Sequence, residues 1–127
     1  MYEIKDVRQD IPELRFRWFS GEDCELFIWE DRHSGKIERF QFYFDKDFDE
    51  KVIEWRSSTG LWCARVDDGE GSRFYKAAPV ILSSDDVDLQ EGLRMFTRRS
   101  EELHPSIRQF VIHTLQGSLA HSTQSTP

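Results

Sequence analysis

Lys36-Ile37-Glu38-Arg39-Phe40-Gln41-Phe42-Tyr43-Phe44 decides the fold. Phe40, Phe42 and Phe44 recur at every second position, with Arg39, Gln41 and Tyr43 at the alternate positions. That period is the signature of a strand with one buried face, since side chains alternate across a sheet. Upstream, Glu13 to Phe19 alternates in the same way, Leu14, Phe16 and Trp18 against Arg15 and Arg17. Cys24 to Trp29 is apolar at both parities, which predicts a central strand covered on both sides. Downstream, Val52 to Ser57 and Leu61 to Val66 continue the series, and Tyr2–Val7, Arg73–Lys76 and Pro79–Leu82 are short candidates. Turn-forming clusters separate them at Ser20–Asp23, Asp31–Gly35, Asp45–Glu50, Ser57–Gly60 and Asp67–Ser72. Short strands joined by short turns predict an antiparallel β-meander of five to seven strands.

The period then changes. Ser83-Ser84-Asp85-Asp86 offers an N-cap and acidic first-turn residues. Leu89, Leu93, Phe96 and Leu103 follow at helical spacing, although Gly92 costs such a helix about 1 kcal/mol relative to Ala. Pro105 suits the first turn of a second helix, whose apolar stripe is Ile107, Phe110, Val111, Thr114 and Leu115, with Gly117 as its stop. The fold class is therefore α+β, with two C-terminal α-helices packed on one face of the sheet, the Phe40/Phe42/Phe44 face. Residues 1–117 form a single domain, and the Ser-, Thr- and Gln-rich stretch 118–127 is expected to be a disordered tail.

A chain of 127 residues buries enough surface to fold without a disulfide or a metal. Its formal net charge of −7 repels phosphate backbones, which argues against nucleic acid as a partner. Cys24 and Cys63 lack CxxC spacing and read as buried thiols of a reducing compartment. The charged start Met1–Asp6 is unlike a secretory signal, and no stretch is long and apolar enough to cross a bilayer, so a cytoplasmic, non-membrane protein is expected.

Motifs that carry chemistry are few. Asp45-Lys46-Asp47-Phe48-Asp49 has the alternating aspartates of a calcium loop, but Glu50 and Arg56 stand where an EF-hand needs Gly and a bidentate Glu. Asp67-Asp68-Gly69-Glu70 gathers carboxylates in what is also a standard tight hairpin turn. His33, His104, His113 and His121 lack the spacing of a helical zinc site. No nucleophile elbow, phosphate loop or dinucleotide fingerprint is present. No metal and no cofactor is expected.

Arg17-Trp18-Phe19, Glu25–Trp29, Phe40-Gln41-Phe42 with Asp45-Lys46, Trp55-Arg56, the Val66–Glu70 turn, and Phe96, Pro105 and Phe110-Val111 together resemble a family of small uncharacterised bacterial proteins. The resemblance covers most of residues 14 to 115. It departs at His104, where the family tends to Asp before the proline, and at Asp47, where it tends to Gly. It implies no activity, so it transfers no functional residue.

The remaining candidate is the sheet face turned away from the helices. By alternation Arg15, Arg17, Arg39, Gln41, Tyr43, Glu54, Arg56 and Arg65 are expected there, and of these Arg17, Arg39, Gln41, Tyr43, Arg56 and Arg65 are the expected ligand contacts. Arginine favours flat bidentate partners, and Arg and Tyr are enriched at interface hot spots. This points to a non-enzymatic binding or regulatory module for a protein partner or a small anionic ligand. The alternatives are a small enzyme using Asp67, Asp68 and Glu54 at a sheet–helix pocket, and an oligomeric subunit such as a homodimer paired through open sheet edges.

Overall fold

The computed structural model describes residues 1–66, 78–79 and 89–124; residues 78–79 and 120–124 are described by their backbone alone. The elements are β1 (Tyr2–Glu3), β2 (Leu14–Gly21), β3 (Cys24–Asp31), β4 (Ile37–Phe44), β5 (Lys51–Arg56), β6 (Gly60–Arg65), β7 (Ala78–Pro79), α1 (Leu89–Arg99) and α2 (Pro105–Gln124). The strands form one antiparallel sheet in the order β1-β2-β3-β4-β5-β6-β7, so every strand pairs with its neighbour in sequence. The expected meander with two C-terminal helices is the fold. The Asp67–Ser72 turn, the Arg73–Lys76 strand and the Ser83–Asp86 cap lie outside the described residues.

Turn lengths set the register. A two-residue connection, Glu22-Asp23, pairs Gly21 with Cys24. Asp23 takes φ 61°, a conformation that Asp tolerates better than most residues, and its carboxylate accepts the Asp47 amide at 2.8 Å. The Asp31–Gly35 loop turns with Gly35 at φ 77°. The Asp31 carboxylate accepts the amides of His33 and Ser34, both at 2.8 Å, and these bonds hold it below its ordinary pKa. The first and last aspartates of the Asp45–Asp49 turn are ion-paired. Lys51 lies 3.0 Å from Asp45, and Arg65 lies 3.0 Å from Asp49.

The core sits between the sheet and the helices. Phe40, Phe42 and Phe44 are fully buried, as are Phe96, Val111 and Leu115 opposite them. The Phe42 ring meets Phe96 edge-on at 5.2 Å, and Phe110 meets Trp55 at 5.2 Å. Each buried Phe contributes roughly 1.5–3 kcal/mol. Gly92 is buried in α1, and a Cβ there would lie 2.5 Å from Ile53 Cδ1 and 3.3 Å from the Phe44 ring. The helix-weakening glycine is thus what lets α1 approach the sheet.

Gly117 does not stop α2. It does not take the positive φ of a C-cap, and the helix runs on to Gln124, through most of the stretch expected to be a tail. The helix starts as expected at Pro105. His104 caps it: its Nδ1 accepts the Ser106 amide at 3.2 Å, and its carbonyl accepts those of Ile107 and Arg108 at 3.0 Å.

Candidate functional site

The outer face of the sheet, opposite the helices, is more aromatic and less cationic than alternation alone suggests. Pairing Gly21 with Cys24 sets Phe16 opposite Trp29 and Trp18 opposite Phe27. These four rings therefore share a face with Arg39, Gln41 and Tyr43 of β4 and with Val52, Glu54 and Arg56 of β5. Phe16 lies 5.8 Å from Phe27 and 5.1 Å from Trp29, Trp18 lies 5.8 Å from Phe27, and Phe27 meets Tyr43 edge-on at 5.7 Å. Phe16, Trp18, Phe27 and Trp29 are half-buried. Tyr43, Val52 and Ala64 form a buried apolar cluster at the other end of the patch.

Two of the six expected contacts, Arg17 and Arg65, lie on the opposite face. Phe19 and Gly21 must point with Cys24, Leu26 and Ile28 into the core, which carries Arg17 and Arg15 to the helix side of β2. Arg17 grips the Glu3 carboxylate with two nitrogens at 2.9 Å each and Glu30 at 3.1 Å. The Arg17 bond holds the Glu3 carboxyl below its ordinary value, against the opposing effect of burial. Arg65 opposes Lys51 on the helix side because Cys63 turns inward against Ile53.

Arg39, Gln41, Tyr43 and Arg56 do share the outer face, where Glu54 organises the polar group. Arg39 Nε donates to its Oε2 at 2.8 Å, Arg39 Nη2 forms an ion pair with the same oxygen at 2.8 Å, and Gln41 donates to it at 2.9 Å. Arg56 stands 3.6 Å away. Burial pushes the Glu54 carboxyl up, but the Gln41 bond and the charges of Arg39 and Arg56 outweigh it and hold the group below its ordinary value. The Arg39 guanidinium also lies over the Trp29 ring, 4.3 Å from its centroid. The side chain is fixed between an indole and a carboxylate. At the margin Glu25 accepts the Trp18 indole N–H at 2.8 Å and pairs with Lys46.

Glu54 is therefore not in a sheet–helix pocket. It faces away from the helices and is ionised, which removes it as a raised-pKa acid; Asp67 and Asp68 lie outside the described residues. Among the described residues no three His, Cys, Asp or Glu side chains converge as metal ligands.

A dent of ≈ 100 Å³ adjoins the aromatic patch, lined by Arg8, Asp10, Ile11, Leu14, Phe16 and Trp29. Phe16, Trp18, Phe27 and Trp29 are the site residues that sequence reasoning missed. The signal was present in β3, apolar at both parities, and in the aromatics of β2 at the parity opposite its arginines. Comparison with known protein families, curated proteins and solved structures finds no match to this chain. No described helix is long and apolar enough to cross a membrane.

Proposed function

We propose that this protein is a non-enzymatic binding module that docks a protein partner on the outer face of its sheet. One observation carries the reading: Phe16, Trp18, Phe27 and Trp29 form a contiguous aromatic patch on the face that the helices do not cover. A sheet backed by helices needs one apolar face to fold, and a second one of rings and a stacked arginine has the composition of an interface hot spot. The dent beside Phe16 and Trp29 is of the size of one branched aliphatic side chain, such as a partner could insert. Arg39 spends its charge on Glu54, which favours a protein over a small anion. A cytoplasmic location and kinship with the small bacterial proteins that the sequence resembles belong to the same proposal.

The test is a photo-crosslinking residue placed at Phe27, the centre of the patch. It is expected to give one discrete adduct in cells, whose protein, once purified, binds wild type saturably and binds Phe16→Ala and Trp18→Ala more weakly by about 1–2 kcal/mol each. Equal binding by folded variants, or the absence of any saturable adduct, would overturn the proposal. An adduct with a second copy of the chain would replace it with the oligomeric alternative.

A further inference from the structure

Where β4 begins and β5 ends, the first turn of α2 overhangs a cleft of ≈ 550 Å³ on the helix side of the sheet. Small-molecule sites occupy roughly 300–1,000 Å³ and are mostly apolar with a few polar groups. This cleft is walled by Ile37, Trp55, Ile107 and Phe110. The Trp55 ring is braced by Phe40 at 5.8 Å and by Phe110 at 5.2 Å. Its indole N–H has no hydrogen-bond partner among the described residues.

The polar lining includes Glu30, Glu38 and Lys36. Each carboxylate has one oxygen engaged: Glu30 Oε2 by Arg17 at 3.1 Å, and Glu38 Oε1 by the Ser57 hydroxyl at 2.6 Å. The second oxygen of each has no partner among the described residues. The helix end offers an anion nothing comparable. Pro105 has no N–H, and the amides of Ser106, Ile107 and Arg108 are all taken by His104. The free acceptor capacity of the cleft among the described residues is thus two carboxylate oxygens beside aromatic walls, a setting that suits a positive charge. Lys36 is exposed at the rim and has no acid partner among the described residues, so it acts as a built-in competitor of like charge.

We propose that this cleft binds a small organic cation, a protonated amine carried on an aromatic or aliphatic body. The ligand body packs on Trp55 and Phe110, and the ammonium donates to Glu38 and Glu30. The site is independent of the outer face, since its side chains lie on the helix side of the sheet.

The experiment titrates the protein with phenethylamine, with phenylpropionate as an anion of similar body, and with Nα-acetyl-lysine amide. The NMR signal of the Trp55 indole N–H, identified by its loss in Trp55→Phe, is the readout. Phenethylamine is expected to shift it saturably with a Kd of about 1 mM or tighter, and phenylpropionate to bind about tenfold more weakly or not at all. Glu38→Gln is expected to weaken amine binding about tenfold, and Lys36→Ala to tighten it. Phenylpropionate binding as well as the amine, weaker amine binding by Lys36→Ala, or no saturable shift with any probe would overturn the proposal. Tighter binding of Nα-acetyl-lysine amide than of phenethylamine would name a partner's lysine side chain as the source of the cation, and the reverse order a free amine.

Discussion

The side-chain amide of Gln9 hydrogen-bonds both backbone groups of Phe16, its Nε2 donating to the carbonyl at 2.9 Å and its Oε1 accepting the N–H at 2.8 Å. This pair of bonds imitates the exchange that a neighbouring strand would make, on a strand that β1 covers only at Phe19 and Ser20. An unpaired strand edge is a template for another chain, and here a side chain occupies it. Gln9→Ala is expected to lower stability by about 1 kcal/mol and to add a concentration-dependent dimer. Denaturant titration and sedimentation velocity check the two effects; a variant that stays monomeric while losing stability would show that the edge is closed by other means.

Gly92→Ala sets two effects against each other. The exchange improves helix propensity by about 1 kcal/mol, yet the new methyl collides with Ile53 Cδ1 in a fully packed core, where overpacking costs about 1–3 kcal/mol. We expect a net loss, and expect Ile53→Val, which deletes the colliding methyl, to be less costly in the Gly92→Ala background than in wild type. A double-mutant cycle by chemical denaturation measures this coupling, and additivity would contradict it.

Arg39→Ala removes a hydrogen bond and an ion pair from a carboxylate whose side chain is only 7% exposed. Loss of one partner of a buried pair leaves the other charge under-satisfied, at about 2–4 kcal/mol for a pair that is partly open to water. Replacing both residues, as in Arg39→Met with Glu54→Leu, is expected to recover most of that loss. Arg56→Ala is expected to cost less than about 1 kcal/mol, because its side chain is 48% exposed and stands 3.6 Å from the carboxylate.

His104→Asp exchanges an imidazole cap for a carboxylate at the positive end of α2. The imidazole already accepts the Ser106 amide, and a carboxylate would add a favourable dipole interaction. A gain of about 0.5–1 kcal/mol above pH 5 is expected, read from the denaturation midpoint.

The pH profile of stability is bounded on both sides. Glu54 and Glu3 have folded values below the ordinary 4.5, so the unfolded chain binds more protons in that range. Their contribution is complete above about pH 5 and is lost as pH falls through the folded values. Burial raises Cys63 from 9.0 to about 11 and also raises Cys24. Folding then favours the protonated thiols, so this contribution is whole below pH 9 and is lost as pH rises towards about 11. Denaturation midpoints across pH, with and without Glu54→Gln and Cys63→Ala, test each limb.

The strands of the meander were legible because Phe40, Phe42 and Phe44 alternate without interruption and the turns between strands are rich in Gly, Asp and Ser. The helix-packed face followed from the same residues. The outer face was legible only in part. Arg39, Gln41, Tyr43 and Arg56 follow from β4 and β5, whose inward residues are unambiguous. β2 carries large apolar groups at one parity and arginines at the other, and hydrophobicity alone sends its aromatics to the core. A two-residue turn overrules that by aligning Phe19 with Leu26. The Glu54 cluster and the Trp55 cleft join residues from separate strands and a helix, proximity that periodicity does not encode. Gly117 misled because a glycine ends a helix only where it takes a left-handed conformation.

The order of the elements has a consequence during synthesis. Each strand pairs with the one made just before it, so the sheet can zip up as it leaves the ribosome, by local closures that fold fast. The helices that shield Phe40, Phe42 and Phe44 are translated after all the strands. A nascent chain stalled before residue 89 would present a finished sheet with bare rings, the form in which this protein is most in need of a chaperone.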